Sequence, residues 1–542
     1  MTKPWLKHYG DAIPHDVDTS SYRNVVDMLA EAAEHHKDRT AYSSFGGTLT
    51  FAETWALARD FAAYLQTELG IQKGDRVAVM LPNMMAFPVA MYGILRAGGV
   101  QVNVNPMYTP RELEHQLNDA DAETIVVFAG STPTLAEVID KTPVKTVIVA
   151  QLDDFAGVGI PHAPVAAGLE NSIRLDAAVD RGKPLDFEPP DIAGDDLIFL
   201  QYTGGTTGLS KGAMLTHSNL VANILQFAAF AGDNIKRGEE VVMTAIPMYH
   251  IFALMVNTLT YFHFGGTSVL ITNPTDMPAF VEEWSKWQVT VFTGVNTLYN
   301  GLLHTSGFAD LDFSKLALSV GGGAPVQKAV SDRWKEVTGK HIREGYGLSE
   351  TSPVLTMNPF HLEEFLSSIG IPWPSTEISL RDESGSEVAV GEEGELCAKG
   401  PQVMRGYWRR DDATAEVMTE EGYFRTGDIA VIDPDGYFRI VDRKKDMILV
   451  SGFNVFPNEI EAVVAGLDGV LEGASIGVPD EKSGESVKLF VVRKDDGLEA
   501  QAVKQHCRQH LTGYKVPRHI EFIDALPKST VGKILRRELR DR

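Results

Sequence analysis

A run of glycine and threonine residues directly after a strand-like apolar segment constrains this chain more than any other feature. Residues 202–212 read Tyr-Thr-Gly-Gly-Thr-Thr-Gly-Leu-Ser-Lys-Gly and follow the apolar run 197–200. Glycine lets the backbone turn through positive φ and approach a ligand closely, and successive backbone N–H groups can face one anion. Together with the hydroxyl groups and the ammonium of Lys211, the segment predicts a polyphosphate site. A flexible surface loop is the structural alternative.

The segment differs from the phosphate loop of kinases and GTPases. That pattern places Gly-Lys-Ser/Thr after a glycine and four further residues. Counting from Gly205, the second glycine position holds Ser210, and Gly212 follows Lys211. The loop therefore predicts a phosphate site of another type.

Length and charge exclude several classes of protein. The chain has 542 residues, enough for about three or four domain-sized units. Its formal net charge is −24, which argues against a nucleic-acid partner because phosphate contacts need a basic surface. A site for an anionic nucleotide must therefore contain its own cations.

Cysteine usage and hydropathy predict a cytoplasmic protein. Cys397 and Cys507 lie far apart and give neither a disulfide framework nor metal-ligand spacing. Residues 1–9 lack the apolar core of a signal peptide. The most apolar long window, 244–266, is interpreted as buried core, and weak attachment to a membrane surface stays open. This window includes residues that a spanning helix rarely tolerates, namely Pro247, His250, Asn257 and His263.

Strand and helix patterns alternate along about the first 200 residues, which predicts parallel sheets covered by helices. Residues 152–194 interrupt this alternation and are predicted to form a long surface connection. The alternation resumes over 196–323. Residues 367–440 carry short β runs between turn residues, typical of a small β-barrel or a twisted antiparallel sheet. Residues 447–542 alternate again.

Two glycine-rich segments further along the chain suit the binding of a flat ring. They read Gly321-Gly322-Gly323-Ala324-Pro325 and Glu344-Gly345-Tyr346-Gly347-Leu348-Ser349-Glu350. Tyr346 offers a face for stacking on adenine, and Glu350 is a hard oxygen ligand suited to Mg²⁺ between phosphates. Taken singly, a tyrosine such as Tyr346 is more often a core or surface aromatic, and a glutamate such as Glu350 is more often a solvated charge.

Charged residues near the carboxyl end of the chain complete the candidate set. Asp428 follows a glycine and can accept two hydroxyl hydrogen bonds, as from a ribose, or serve as a turn residue. Arg443 can reach nucleotide hydroxyls or phosphate and, with Lys445, lies in a cationic run where the β-rich segment gives way to the last α/β segment. Lys533 lies in a glycine-containing loop. For each cation, a solvated surface position is the structural alternative.

Taken together, these motifs resemble the acyl-adenylate-forming superfamily in order and rough spacing, from about residue 20 to the end. That superfamily contains acyl-CoA synthetases, luciferases and the adenylation domains of peptide synthetases. Within it, the chain looks most like bacterial long-chain fatty acyl-CoA ligases. The segment 422–454 resembles the fatty acyl-CoA synthetase signature, but it has Tyr423-Phe424-Arg425 where that signature usually has Trp, Leu and His. The other segments that support this closer match are 102–106, 108–114 and 247–254.

The resemblance implies an α/β fold. It consists of a large N-terminal domain of helix-covered β-sheets with a small β-barrel subdomain, hinged to a small α+β C-terminal domain. The implied boundaries are 1–441 for the AMP-binding (adenylation) domain, 442–446 for the hinge and 447–542 for the mobile C-terminal domain. Lys445 is implied as the hinge residue.

The resemblance also implies a role for each candidate residue. Lys533, Thr203 and Glu350 are implied as catalytic, and Thr203 and Glu350 as the groups that hold Mg²⁺. His250 and Gly294 are implied to lie near the substrate. The implied nucleotide-binding residues are Thr203, Gly204, Gly205, Thr206, Thr207, Gly208, Lys211, Gly322, Gly323, Ala324, Glu344, Gly345, Tyr346, Gly347, Asp428, Arg443 and Lys533. Segments 222–230, 249–256 and 294–299 are expected to line the acyl tunnel.

The implied activity is that of a fatty acid–CoA ligase that uses ATP, Mg²⁺ and CoA as a co-substrate, at the entry to fatty acid degradation or lipid synthesis. A fatty acyl-AMP ligase and a CoA ligase for another carboxylic acid are alternatives within the class. An inactive nucleotide-binding relative is an alternative outside it, and intact Glu350, Asp428, Arg443 and Lys533 argue against that one. A homodimer and peripheral contact with the inner face of the membrane stay open.

Overall fold

The computed structural model describes residues 3–203, 210–451, 453–480, 483–494, 496–529, 532–540 and 542. Its strands are β1 Thr40–Ser44, β2 Gly47–Thr50, β3 Arg76–Met80, β4 Val100–Asn103, β5 Thr124–Phe128, β6 Thr146–Ala150, β7 Ile173–Arg174, β8 Leu197–Thr203, β9 Lys211–Thr216, β10 Val241–Thr244, β11 Thr267–Leu270, β12 Val291–Gly294, β13 Leu318–Gly321, β14 Arg343–Gly347, β15 Val354–Met357, β16 Ile371–Pro372, β17 Glu377–Arg381, β18 Glu393–Lys399, β19 Phe424–Ile432, β20 Phe438–Arg443, β21 Ile448–Val450, β22 Phe453–Val455, β23 Val470–Asp480, β24 Gly484–Arg493 and β25 His519–Phe522.

The helices alternate with these strands over most of the chain. A π-helix, Ala253–Thr260, leads directly into α8. The α-helices are α1 Val25–His35, α2 Phe51–Thr67, α3 Ala86–Arg96, α4 Pro110–Ala120, α5 Thr132–Ala136, α6 Leu175–Gly182, α7 His217–Ala231, α8 Tyr261–His263, α9 Met277–Ser285, α10 Asn296–Leu303, α11 Lys328–Thr338, α12 Asp411–Val417, α13 Pro457–Ala465, α14 Ala500–His510 and α15 Arg536–Arg540.

Within the described residues, the strands form four sheets. The first has seven strands in the order β7-β6-β5-β3-β4-β8-β9, and the second has nine in the order β16-β15-β14-β13-β12-β10-β11-β1-β2. The central strands of both are parallel, for example β3 with β4 and β12 with β13, whereas β15 and β16 at one end of the second sheet are antiparallel. Such parallel strands are buried on both faces, so they read as continuous apolar runs. The predicted helix-covered parallel sheets are confirmed.

Local sequence explains where the covering helices begin. The hydroxyl of Thr50 accepts the backbone N–H of Glu53, and the carboxylate of Glu53 accepts the N–H of Thr50, a capping box that starts α2. From there, Phe51, Phe61 and Leu65 turn one face of the helix into the largest core cluster.

A single buried asparagine ties the carboxyl ends of the two large sheets together. Asn83 follows β3. Its side-chain N–H groups donate to the carbonyls of Thr244, the last residue of β10, and of Ile246, which comes after β10. Its oxygen accepts the N–H of Met248 at 2.8 Å. Because ligands of open α/β sheets bind beyond the carboxyl ends of the strands, this junction places the candidate site between the sheets.

Two segments refine the sequence-based prediction. Residues 152–194 are not connection alone, because β7 and α6 form within them and β7 extends the first sheet beside β6. Their short apolar stretches were too weak as periodic signals to predict. Residues 367–440 contain β17–β20, which form a four-stranded antiparallel sheet. Of the two predicted alternatives, a small β-barrel and an antiparallel sheet, the structure has the sheet.

The last part of the chain has its own core. Strands β22-β21-β24-β23, with β25 parallel to β24, form the fourth sheet. Helices α13 and α14 pack on it through Ile460, Val464 and Val503. The predicted small α+β unit is confirmed.

Candidate active site

One cavity of about 920 Å³ lies where the predicted motifs converge. Strands β8, β9, β13 and β14 and the π-helix supply its walls, and the loop before α15 closes one side. We call the end lined by Thr203, Lys211, Gly321, Gly322, Gly323, Tyr346, Glu350 and Lys533 the polar end. The end lined by Phe227, Tyr261, Leu318, Val320, Met357 and Trp373 is the apolar end.

The two ends of the glycine- and threonine-rich segment belong to neighbouring antiparallel strands at the polar end. Thr203, the last residue of β8, pairs with Lys211, the first of β9, and both line the cavity. The ammonium of Lys211 lies 4.7 Å from the centre of the Tyr407 ring, a cation–π contact that keeps it beside the cavity. The predicted ligands Gly204, Gly205, Thr206, Thr207 and Gly208 lie outside the described residues.

Glu350 is buried beside β8 and β9. The hydroxyl of Tyr407 donates to its Oε1 at 2.8 Å. Burial raises the pKa of Glu350, while the Tyr407 hydrogen bond and the charges of Arg443 and Lys211 oppose that rise. The carboxylate of Glu350 and the hydroxyl of Thr203, which line the same cavity, are oxygen donors that suit a hard cation. Sequence reasoning missed Tyr407, since one tyrosine in a β-rich segment carries no pattern.

The two glycine-rich segments form a narrow slot in the cavity wall. A Cβ on Gly322 would come within 3.0 Å of the Phe252 ring and 3.5 Å of the Gly345 carbonyl oxygen. Gly323 has φ +74°, a left-handed conformation that favours glycine. Gly345 and Gly347 also line the cavity. Only backbone without side chains leaves room here for a flat ring.

Two of the predicted nucleotide-binding residues lie behind the wall of this slot. Ala324 and Glu344 do not line the cavity formed by the described residues. Instead Oε1 of Glu344 accepts the N–H of Val326 at 2.8 Å, and burial raises its pKa to about 8. Glu344 therefore holds the loop that follows β13, a role that its position in the sequence does not reveal.

Asp428 is clamped between two neighbours. The hydroxyl of Tyr346 donates to its Oδ2 at 2.6 Å, and Nε of Arg443 lies 3.2 Å from its Oδ1. Asp428 and Arg443 are also register partners in β19 and β20. The structure thus brings three predicted nucleotide-binding residues into one contact group, with Tyr346 and Arg443 exposed to the cavity.

Lys533 reaches the cavity from the C-terminal unit. Its loop is closed by the Ser529 N–H, which donates to the Lys533 carbonyl at 2.7 Å. Gly532 has φ +75°, and a Cβ there would lie 2.7 Å from Oγ1 of Thr297 and 2.9 Å from the Val295 side chain. Gly532 therefore lies tightly against the large N-terminal unit.

Cations crowd this side of the cavity. Burial first, and then the charge of Arg443, lower the pKa of Lys533 to about 7. The same two causes lower the pKa of Lys445, which also lines the cavity, to about 8. Like charges repel unless an anion lies between them, so this arrangement favours a polyanionic ligand.

His250 lines the cavity with a neutral imidazole ring. Its Nδ1 accepts the N–H of Phe252 at 3.3 Å. Burial, and then the charge of Lys533, lower its pKa to about 4. The structure therefore brings His250 and Lys533 together.

The apolar end differs in part from the expected tunnel. Of 222–230, Phe227 lines the cavity formed by the described residues, and 249–252 and Val256 line it as predicted. Segment 294–299, including Gly294, does not reach it. The reason is that Tyr299 packs behind β12 and β13, where its hydroxyl donates to the Val320 carbonyl at 2.8 Å. Sequence reasoning missed Tyr261 and Trp373.

The fold and this cavity together define a nucleotide-binding enzyme of the α/β class. Residues 29–408 match the AMP-binding enzyme family, and residues 459–533 match the AMP-binding enzyme C-terminal domain. The chain therefore belongs to the AMP-binding enzyme family, which confirms the resemblance. Among the described residues, no helix has the length and apolar character needed to cross a membrane.

Several proteins are similar to this chain in sequence or structure over nearly its whole length. The long-chain-fatty-acid–CoA ligase of Yersinia pestis is 51% identical over 100% of this chain and 98% of that protein. The anthranilate CoA ligase AuaEII, solved in complex with anthranoyl-AMP, superposes with a TM-score of 0.87 at 25% identity over 97% of this chain and 98% of its own. ATP-bound MatB from Rhodopseudomonas palustris gives a TM-score of 0.82 at 30% identity over 96% and 98%.

Proposed function

We propose that this protein is a fatty acid–CoA ligase. It activates a medium- to long-chain fatty acid with ATP to acyl-AMP and pyrophosphate, then transfers the acyl group to CoA. The observation that supports this most directly is one cavity in which a cation-rich polar end, with His250 near Lys533, continues into an apolar end. The Y. pestis relative, a long-chain-fatty-acid–CoA ligase by name, supports the same activity.

In the first step, a carboxylate oxygen of the fatty acid attacks the α-phosphorus of ATP and pyrophosphate leaves. Two anions must approach each other, so repulsion is the main obstacle. The ammonium groups of Lys533 and Lys211 lie beside the cavity where that charge gathers, and preorganised charges of this kind lower the barrier electrostatically. Holding both reactants in one cavity supplies the alignment.

In the second step, the CoA thiolate attacks the acyl carbon and AMP leaves with the carboxylate oxygen. AMP is a far better leaving group than oxide, which is why adenylation must come first. His250 is neutral at physiological pH because of its lowered pKa, so it does not add a positive charge that would hold the acyl-AMP in place.

Glu350 and Thr203 fit a magnesium ion. Glu350 is buried with one oxygen bonded to Tyr407, and Thr203 lies on the same cavity wall. These two residues would hold Mg²⁺ together with the phosphates. When bound, Mg²⁺ neutralises phosphate charge and helps pyrophosphate to leave.

We further propose the division into 1–441, a hinge at 442–446 and a mobile domain at 447–542. The support is that β20 ends at Arg443 in the third sheet, whereas β21 begins the separate C-terminal sheet at Ile448. Rotation at Lys445 would withdraw Lys533 after adenylation and open the cavity to CoA. A homodimer and peripheral membrane contact stay predictions.

The proposal is tested with a fatty acid whose carboxyl group carries heavy oxygen. The purified protein, ATP, CoA and the labelled acid are incubated, and AMP is examined by mass spectrometry. We expect one heavy oxygen in each AMP, because the carboxylate oxygen becomes bonded to the α-phosphorus. AMP without label would rule out an acyl-adenylate. Labelled AMP with no acyl-CoA thioester would instead indicate another acyl acceptor.

A further inference from the structure

A buried carboxylate joins the large N-terminal unit to the C-terminal unit. Asp442 lies in β20 of the third sheet, in register with Ile429 of β19, and is 1% exposed. Its Oδ2 accepts the backbone N–H of Asn458 at 3.0 Å, and Asn458 is the second residue of α13 in the C-terminal unit. Between described residues, no other side-chain hydrogen bond or ion pair links 1–443 to 447–542.

Helix α13 receives its N-terminal cap from this carboxylate. Phe456, the residue before the helix, makes no side-chain cap, and Pro457 at the first position has no N–H to donate. The N–H of Asn458 is therefore the first donor at the positive end of the helix, and it has no partner within the helix. A carboxylate at this place is favoured by the hydrogen bond and by the helix dipole.

Helix α13 in turn holds the helix that follows Lys533. Arg536, the first residue of α15, donates from Nη2 to the two carboxylate oxygens of Glu461 at 3.0 and 2.8 Å. The same nitrogen lies 3.1 Å from Oδ1 of Asn458, and both partners belong to α13. Lys533 lies three positions before Arg536. Asn458 thus binds Asp442 through its backbone and Arg536 through its side chain.

The other end of this connection reaches the nucleotide side of the cavity. Asp442 directly precedes Arg443, whose backbone N–H donates to Oδ1 of Asp442 at 2.7 Å. The side chain of Arg443 lines the cavity and pairs with Asp428. A continuous set of contacts therefore runs from Arg443 through Asp442, α13 and α15 to Lys533, and packed contacts of this kind can carry coupling between distant groups.

The carboxylate of Asp442 is ionised at neutral pH. Burial raises its pKa to about 6, and the Asn458 hydrogen bond and the charge of Arg536 oppose that rise. A buried carboxylate without partners is strongly unfavourable, so the contact with α13 stabilises the arrangement in which Lys533 lies in the cavity. Rotation at Lys445 would break this contact, because Asp442 and Asn458 lie on opposite sides of that residue.

We propose that Asp442 is a positioning residue for adenylation. By capping α13 it holds Lys533 in the cavity, and it releases the helix when the C-terminal unit rotates to admit CoA. The inference rests on the proposed fatty acid–CoA ligase function and assigns a role to a residue outside the predicted nucleotide- and acid-binding set. Asp442 does not line the cavity formed by the described residues, so it acts through Lys533 and not on the reacting atoms.

The test measures the two half-reactions separately in the full-length Asp442→Ala variant. Acyl-AMP formation is followed by pyrophosphate release, and thioester formation by the acyl-CoA made from supplied acyl-AMP. We expect acyl-AMP formation to slow about tenfold, since a hydrogen bond to a charged group shifts the equilibrium between docked and released Lys533 by at least that order. Thioester formation should change less than about twofold, because the rotated unit does not use this contact.

A second substitution shows whether Asp442 acts through Lys533. In a Lys533→Ala background, Asp442→Ala should slow acyl-AMP formation by less than about twofold, because the group that it positions is already gone. Asp442→Asn keeps an oxygen that can accept the Asn458 N–H, so it should lose less activity than Asp442→Ala. If Asp442→Ala does not fold, Asp442→Asn is carried through the same two comparisons.

Asp154→Ala is the matched control. Asp154 is also a buried carboxylate, 5% exposed, and it accepts the backbone N–H of Gln151 at 2.8 Å. Burial raises its pKa to about 6 as well, but it lies in the large N-terminal unit and does not line the described cavity. Its substitution should lower the melting temperature and leave the ratio of the two half-reaction rates unchanged.

Failure of the ligase function and failure of this inference give different results. If the unmodified protein makes no acyl-AMP from any fatty acid, the proposed ligase function is wrong. If it makes acyl-AMP but Asp442→Ala slows both half-reactions alike, Asp442 serves stability alone and the inference is overturned. It is also overturned if Asp442→Ala slows acyl-AMP formation to the same extent in the Lys533→Ala background, since the effect then passes through Arg443 or another group.

Discussion

The two ends of the cavity are built by opposite means. At the polar end, glycines remove side chains, and the charged groups meet partners, as Asp428 meets Tyr346 and Arg443. At the apolar end, the largest side chains fill the space, and two polar atoms have no partner among the described residues.

This difference separates a general task from a specific one. A polar end that binds ATP must present fixed charge and backbone, which glycine and cation motifs encode locally. An apolar end that selects an acid needs only volume and a few donors, which residues distant in sequence can supply together. Substitutions at the polar end are therefore expected to slow the reaction itself, and substitutions at the apolar end are expected to change which acids are used.

The largest expected effect is at the polar end. Lys533→Ala should slow acyl-AMP formation by about a hundred- to a thousandfold, because it removes one preorganised charge. Thioester formation from supplied acyl-AMP should stay close to normal. Both steps are measured separately by quenched-flow assays.

Lys528→Ala is the control, since Lys528 lies in the same loop but its ammonium binds Glu472 at 2.6 Å. It should leave both steps nearly unchanged. An equal loss of the two steps in Lys533→Ala would contradict a role confined to adenylation.

The second prediction concerns pH and uses the same lysine. The pKa of Lys533 is lowered to about 7, first by burial and then by Arg443. The charged ammonium is present below that value and is lost as pH rises through it. We therefore expect kcat/KM for ATP, which reports the free enzyme, to fall about tenfold per pH unit on the alkaline side.

Lys533→Arg should abolish this alkaline limb, because arginine stays protonated throughout the range. If the alkaline limb persists in Lys533→Arg, the titrating group is another one, such as Lys445, and the pH dependence does not report on Lys533.

The third prediction tests the apolar end alone. Trp373→Val removes a ring from the wall of the apolar end, so longer acids should gain relative to shorter ones. Each newly buried methylene contributes about 0.8 kcal/mol, or about fourfold in kcat/KM. The measurement is a chain-length profile of AMP release, with melting temperature followed in parallel.

Phe230→Val is a suitable control, because Phe230 packs on Trp373 at 6.0 Å between ring centres but does not line the described cavity. It should lower stability without moving the profile. A profile that shifts equally in both variants would mean that loosened packing, not the wall, sets chain length.

Prediction from sequence succeeded where a local pattern encodes the role. Glycines at 321–323 and 345 were expected to form a backbone slot, and the structure shows one lined by Phe252. Glu350 was expected beside phosphates and lies on the cavity wall next to Lys211. These positions need a particular residue type within a few positions of another, so sequence alone exposes them.

Prediction was less successful where contact depends on packing between distant segments. Tyr407 meets Glu350 across 57 positions of sequence, and Trp373 meets Phe227 although each lies in an ordinary apolar run. Gly294 was expected near the substrate, but the Tyr299 ring fills the space around it, within 2.9 Å of where a Cβ would lie. Apolar residues look alike in sequence whichever side of a sheet they face.

By itself the sequence determined the alternation of strands and helices, the order of the phosphate- and ring-binding motifs and the membership of the family, because each depends on residues close together along the chain. Only the tertiary structure decided that Gly532, next to Lys533, lies against Val295 and Thr297, and that Tyr261 and Trp373 line the same cavity. The physical reason is that burial and desolvation depend on every neighbour in space. Burial and desolvation shift the pKa of a lysine, or leave a hydrogen-bond donor without a partner, only once the whole chain has packed.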